Sequence, residues 1–298
     1  MILRGGNLFI PLYLRYLNMT KNKAIIYMIF SAIAFALMGS VVKYLSTFNV
    51  YQVVFFRSVG TLLFTIPLVL KQKVPFFGNN KKWLLIRGIT GVISLTCFFK
   101  SLNYLSIGTA VSLRYTAPIF AAIFALFFLK EKIKPIQWLL FFIAFLGVLI
   151  IKGFGADVEL IGLFFVIFSA VFLGIIFVVI RKIGNTEHPL VIINYFMIMA
   201  FVFGGLMSIK YWIQPNLIEW ILFISTGVFG YFGQLYMTKA FQAEETNLVA
   251  PIKYLEVIIT IIIGTFWFGD IYNGWTLLGI VLILSGLIYN IYIKRKVS

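Results

Sequence analysis

Acidic side chains are scarce in this sequence. Nine Asp and Glu stand against 25 Lys and Arg in 298 residues, beside one His and one Cys. Each shortage excludes something. One His and a thin scatter of carboxylates leave no cluster for a metal and no pair for acid–base catalysis. Cys97 lies alone in an apolar run, so an intrachain disulfide is impossible. The phosphate-loop pattern G-x-x-x-x-G-K-[ST] does not occur, which removes ATP hydrolysis through such a loop. Charge of either sign makes up 11% of the chain, against about 25% in soluble proteins. The chain is therefore not a soluble domain, and no cofactor or metal is expected.

What fills the sequence instead is hydrophobic: 62% of residues, with a mean hydropathy of +1.03. Apolar runs of about twenty residues recur along its length, each long enough to cross a ~30 Å hydrocarbon core as a helix. Cutting at loop signals places ten spans near 24–45, 52–70, 83–103, 109–129, 135–152, 160–181, 190–209, 219–240, 247–268 and 275–293. The runs are unbroken rather than alternating, and longer than the ~10 residues of a barrel strand. The expectation is an all-α integral membrane protein with ten transmembrane helices.

Net charge is +16, yet no basic stripe interleaved with aromatics points to nucleic acid. The cations instead mark topology. Lys21, Lys23, Lys71, Lys73, Lys81, Lys82, Lys130, Lys132, Lys134, Arg181, Lys182, Lys294, Arg295 and Lys296 fall on one side. The other side has little besides Lys152 and Lys210, near Asp157, Glu159, Glu219 and Asp270. The basic side is expected to be cytoplasmic and to hold both termini, in a bacterial inner membrane. Residues 1–23 read as a cytoplasmic or interfacial segment, with Met19 an alternative start, and 294–298 as a basic tail.

The chain also repeats itself. Residues 100–153 superpose on 239–292 at an offset of 139, matching Lys100 with Lys239, Arg114 with Lys253, Tyr115 with Tyr254, Glu131 with Asp270 and Gly147 with Gly286. At an offset of 138, "IFSA" at 29–32 meets "IFSA" at 167–170, and Lys43 meets Arg181. Two five-helix units follow, 24–153 and 160–293. Five is odd, so the second enters the membrane from the opposite side. Such inverted repeats are common among secondary transporters, with the substrate site between the halves near mid-membrane.

Candidate site residues come from charges at depth. A lipid-facing Arg or Lys at mid-membrane costs about 2.5–3.5 kcal/mol on insertion scales. Lys43 and Lys100, close to helix ends, are expected to snorkel to the headgroups. Arg57, Arg114 and Lys253 lie deeper, the last two about 9 Å into their spans, and point to a water-filled cavity. A cavity they line suits a carboxylate, phosphate or zwitterion, because Arg holds a carboxylate through two hydrogen bonds and Lys acts as a point charge. Gln234 adds an amide at membrane depth. Tyr115 and Tyr254, with Tyr231, Tyr236, Phe99 and Trp267, are candidate walls. Glu256, three residues after Lys253, either neutralises it or carries a coupling proton, or cedes it to substrate. Pro118 and Pro251 free the carbonyls of Arg114 and Asn247, as kinks, hinges or ligand acceptors. Ala117, Ala121 and Ala125 form a small-residue face for a neighbouring helix. Gly227, Gly230 and Gly233 suit intramolecular packing or a homodimer equally well, and His188 reads as a solvated loop residue.

Three stretches resemble a known family. "LRYTAPIFAAIFALFFLKEK" and "GQLYMTKAFQAEETNLVAPIKYLEVIITIIIGTFWFGD" are similar to the fourth and the eighth-to-ninth helices of EamA-type members of the drug/metabolite transporter superfamily. "VVFFRSVGTLLFTIPLVL" is similar to their second helix, and the resemblance runs from about Lys23 onward. It implies ten helices in two inverted repeats, a cavity lined by the third, fourth, eighth and ninth helices, and alternating access. Cargo in the family includes amino acids, S-adenosylmethionine, organic acids and amphipathic drugs. The acidic residue closing the ninth helix is here Asp270 rather than Glu.

The function expected is secondary transport of a small anionic or zwitterionic metabolite, with the lipid bilayer and that small molecule as partners. The alternatives are an exporter of cationic amphipathic drugs or a membrane-embedded enzyme acting on a lipid-linked substrate. A channel is disfavoured, because no filter-like polar segment is present.

Overall fold

The computed structural model describes residues 9–128, 135–154, 159–243 and 250–295, and within them every regular element is helical. In chain order these are α1 (Phe9–Tyr44), α2 (Val50–Lys71), α3 (Lys81–Ser101), α4 (Ile107–Arg114), α5 (Ala117–Phe128) and α6 (Pro135–Phe154). There follow α7 (Leu160–Ile183), α8 (Pro189–Ser208), α9 (Leu217–Ala243), α10 (Leu255–Phe268) and α11 (Gly274–Arg295). Among the described residues seven helical stretches are long and apolar enough to cross a membrane, one of them being α4 and α5 together, Ile107–Phe128. Shorter apolar stretches, Trp138–Ile151 and Gly274–Gly286, lie in α6 and α11.

Local chemistry sets the breaks. Asn49 caps α2 by accepting from the Tyr51 N–H at 3.0 Å, and Ser106 caps α4 through the Thr109 N–H at 3.4 Å. Such caps satisfy donors that the first turn leaves orphaned. His188 is a cap as well, its Nδ1 accepting from the Leu190 N–H at 3.3 Å, with Pro189 opening α8 behind it. The fourth span is cut in two where Pro118 requires it. Tyr115 and Thr116 tighten into i→i+3 bonds to Ser112 and Leu113 at 3.1 Å each, and the break stands between Arg114 and Ala117. The ninth span opens with a 3-10 turn, Ala250–Tyr254, containing Pro251. Glu131, Lys130, Lys132, Lys134, Asp157, Asn247 and Lys296 lie outside the described residues.

The helices pair across the chain. α1 packs on α9 and α10, α2 on α8 and α9, α3 on α7 and α8, α5 on α7, α4 on α10, and α6 on α11. Small residues permit the closest of these contacts, since helix association in lipid relies on packing rather than on apolar burial. A Cβ at Gly227 would collide with the Gly60 Cα, so α2 and α9 touch backbone to backbone. Gly174 of α7 sits over Ala117 and Ala121, whose small face accepts it as expected. Gly227, Gly230 and Gly233 face Gly60, Arg57 and Phe35 within the same chain. That glycine run serves intramolecular packing.

Buried hydroxyls join the bundle in the same places. Ser31 Oγ donates to the Gly233 carbonyl at 2.9 Å, and Ser169 Oγ to the Ser94 carbonyl at 2.7 Å. Lys43 does not snorkel. Its ammonium donates to the carbonyls of Leu102 and Leu105 at 2.7 and 2.8 Å, because the chain leaving α3 presents those carbonyls within reach. Lys100 is half-buried, with its ammonium 5.7 Å from the Tyr104 ring.

Candidate functional site

Four cations meet around one buried cavity. Arg57 from α2, Arg87 from α3, Arg114 at the end of α4 and Lys253 from the turn before α10 all line it, with Gln234 of α9 and Phe196 of α8. Its free volume is about 30 Å³, room for about two water molecules. Arg57 and Arg87 are 0% and 1% exposed, Lys253 4%, while Arg114 keeps partial access.

Aromatic faces hold the cations in place. Arg57 and Arg87 lie over the Phe196 ring at 5.6 and 4.6 Å. Arg114 lies over Phe98 at 4.1 Å, and Lys253 over Phe35 and Tyr115 at 4.7 and 5.3 Å. A ring's negative face attracts a desolvated cation by about 2 kcal/mol. That does not satisfy the N–H groups around the cation's edge. Arg57 reaches only two sulfurs, Met38 Sδ at 3.1 Å and Met197 Sδ at 3.6 Å. Arg87 donates to Gln234 Oε1 at 3.2 Å. Among the described residues Arg57 Nη2, Arg87 Nε and Nη1, and Arg114 Nε have no hydrogen-bond partner.

Glu256 supplies the acid next to this cluster. It is 3% exposed, accepts the Tyr115 hydroxyl at 2.6 Å and pairs with Lys253 at 3.4 Å. The i,i+3 pairing expected from sequence is present. Tyr254 stacks edge-on against Tyr115 at 5.2 Å, its buried hydroxyl unpartnered. Tyr115, Tyr254 and Glu256 thus back Lys253 rather than line the cavity.

The structure also redistributes the aromatic candidates. Trp267 is 77% exposed on the outside of the bundle. Tyr231 stacks on Phe64, and Tyr236 on Tyr27 and Phe232. Phe99 is buried in the core. The rings at the cavity are Phe35 and Phe196, with Phe98 behind Arg114. Arg87 is the functional candidate that sequence reasoning missed. Its depth, a turn into the span at 83–103 and flanked by Gly88 and Gly91, is the same signal that picked out Arg114 and Lys253.

Polar contacts tie the connecting segments together at both ends of the bundle. At one end Glu187 accepts from the backbone N–H groups of Asn79 and Asn80 at 2.6 and 2.5 Å. At the other, Gln52 bonds both the N–H and the carbonyl of Ile213, at 3.1 and 2.7 Å. There too, Asp270 accepts from the Ile107 N–H at 3.3 Å, and the Tyr272 hydroxyl accepts from Gly108 at 3.1 Å. No group of three or more His, Cys, Asp or Glu among the described residues is placed to hold a metal.

A helical bundle of membrane-length spans around a buried, charged cavity defines a multi-pass integral membrane protein. The model of the EamA-like transporter family matches it twice, over residues 22–153 and 160–292, and the chain belongs to that family. This is the family that the sequence resembles, within the drug/metabolite transporters. The pseudopaline exporter CntI of Pseudomonas aeruginosa (strain UCBPP-PA14) is 30% identical over 86% of this chain and 91% of its own length. Solute carrier family 35 member G1 of Homo sapiens is 27% identical, over 87% and 76%. The S-adenosylmethionine uptake transporter of Rickettsia bellii (strain RML369-C) is 26% identical, over 85% and 88%. A solved crystal structure shares the fold at a TM-score of 0.62 and 16% identity, over 95% of this chain and 99% of that one. The activity is membrane transport, not catalysis.

Proposed function

We propose that this chain is a secondary transporter of a small anionic or zwitterionic metabolite, working by alternating access between two inverted five-helix halves. One observation carries the choice of cargo. Four cations from four separate segments converge on one buried cavity, with a single carboxylate beside them among the described residues. Burying charge without compensation costs several kcal/mol per ion, and an anionic group on the cargo supplies what the protein leaves out.

The halves, 24–153 and 160–293, are supported by contacts that recur at the repeat offset. Ser31 bonds Gly233 and Ser169 bonds Ser94, and the two contacts exchange when the halves are swapped, Ser31 for Ser169 at an offset of 138 and Ser94 for Gly233 at 139. A Cβ at Gly147 would meet the Gly279 carbonyl at 2.5 Å, and one at Gly286 the Leu140 carbonyl at 2.7 Å. Those two contacts exchange under an offset of 139. The helix pairings named above likewise map onto themselves or onto one another when the halves are swapped, α1–α9 onto α3–α7 and α2–α9 onto α3–α8. The double family match agrees.

In this reading Arg114 and Lys253, the pair equivalent in the two halves, anchor the cargo, with Arg57, Gln234, Tyr115 and Tyr254 in support. Glu256 is the titratable group for coupling: it releases Lys253 when the cargo's acid takes its place. The contacts at Glu187 and at Gln52–Ile213 are the two gates. The Lys and Arg at 71–82 and 181–182 support a cytoplasmic position for that side and for both termini, in a bacterial inner membrane.

Thermal unfolding in detergent tests the cargo class. Carboxylates, zwitterionic amino acids, S-adenosylmethionine and cationic amphiphiles form the panel. A ligand of the folded state at 100 times its Kd adds about 2.7 kcal/mol of apparent stability. Stabilisation by an anion or zwitterion is expected. Stabilisation by cationic amphiphiles alone would assign the protein as a drug exporter, with an apolar groove between α1, α9 and α10, lined by Tyr44, Phe229 and Trp267, as its binding surface.

A further inference from the structure

The four cations divide into two pairs with different surroundings. Lys253 has Glu256 as its counter-ion, and Arg114 stands against Phe98 beside the Tyr115–Glu256 bond. Arg57 and Arg87 share a different ring, Phe196, and neither has a carboxylate partner among the described residues. Among the described residues their hydrogen-bond contacts are two sulfurs and one amide oxygen, and three of their N–H-bearing nitrogens find no acceptor. The donors left for a carboxylate are Arg57 Nη2 and Arg87 Nε and Nη1, and a guanidinium presents such donors in a planar fork.

Symmetry separates the pairs as well. Arg114 and Lys253 are repeat equivalents, so both halves carry a cation there. At an offset of 139, Arg57 corresponds to Phe196 and Arg87 to Thr226. The contacts around them keep the symmetry: Gly230 faces Arg57 as Gly91 faces Phe196, and Gly227 faces Gly60 as Gly88 faces Met199. The scaffold is therefore built equally well with a neutral side chain at the equivalent places. Two buried guanidiniums in one half only are not demanded by the fold.

We propose that Arg57 and Arg87, bridged by Phe196 and steadied by Gln234, form a second acid-binding subsite, and that the cargo carries at least two carboxylates. One carboxylate is held at Arg114 and Lys253 and the other at Arg57 and Arg87. This rests on the reading of the cavity as the cargo site. Gln234 sets the Arg87 fork and moves aside or stays as a third contact when the acid arrives. A monoacid fills one pair and leaves the other uncompensated, so selectivity follows from the number of acidic groups.

Titration of the full-length protein in detergent with butyrate, glutarate and tricarballylate, which carry one, two and three carboxylates, tests this. Affinity is expected to rise about tenfold or more from butyrate to glutarate, the return on one further charge-assisted pair. Arg57→Gln and Arg87→Gln should each bring the glutarate-to-butyrate ratio close to one. Arg87→Lys, which keeps the charge and loses the fork, should recover part of it, and melting of the unliganded variants verifies that each is folded. Equal affinity for butyrate and glutarate, or variants that weaken both alike, overturns the second subsite and leaves the cargo site standing. Failure of all three acids, with stabilisation by a cationic amphiphile, overturns both.

Discussion

Replacing Glu256 with Gln should destabilise the protein by about 3–5 kcal/mol, the usual cost of removing one partner from a buried ion pair. The carboxylate is 3% exposed and holds two groups at once, Lys253 at 3.4 Å and the Tyr115 hydroxyl at 2.6 Å. With it gone, four cations face one cavity and no acid stands among them. Lys253→Met should cost a similar amount by stranding Glu256. The double variant Glu256→Gln with Lys253→Met should cost clearly less than the sum, because neither charge is left alone. Tyr115→Phe removes one hydrogen bond to a charged group, about 1.5–3 kcal/mol. Unfolding in detergent reads all four. A Glu256→Gln loss below about 1 kcal/mol would be the signature of a solvated pair and would contradict a buried Lys253–Glu256 contact.

The largest functional effect is expected from Arg114→Gln combined with Lys253→Gln. Each cation gives the cargo a charge-assisted hydrogen bond of about 1.5–3 kcal/mol. Together that is about 3–6 kcal/mol, or a loss of about 10²–10⁴ in affinity. Counterflow in proteoliposomes, with the ligand that stabilises the wild type, measures it. The variant must elute as a folded species, since Lys253 also serves Glu256. Near-normal counterflow by a folded double variant removes these two residues from the site.

Much of this architecture can be read along the sequence, for a physical reason. Helix length is dictated by bilayer thickness, so spans such as 190–209 and 219–240 fall within a few residues of α8 and α9. Pro118 removes a donor at a fixed place, so the break before Ala117 follows from covalent chemistry. Charges at depth are expensive, and the cost itself singled out Arg57, Arg114, Lys253 and Glu256. Facing is a different matter. In a soluble helix the polar face points outward, but these helices are apolar all round, and periodicity does not distinguish cavity from lipid. Trp267 and Tyr231 look as suitable as Phe35 or Phe196 until neighbouring helices are in place. Lys43 finds carbonyls about sixty residues away in sequence, a partner that no local pattern announces. Arg87 had the right depth. Its position near a basic loop at 81–82 lends it the look of a topology marker.

The most direct measurement is a crystal structure of the full-length protein grown with tricarballylate. The account predicts density for the acid between the two cationic pairs, with one carboxylate on the Arg57 and Arg87 forks and another on Arg114 and Lys253. The predicted structure has Glu256 drawn away from the Lys253 ammonium. Tricarballylate bound elsewhere, in the lipid-facing groove of α1, α9 and α10 or in the end loops, with the cationic cavity still collapsed around its own side chains, would contradict it.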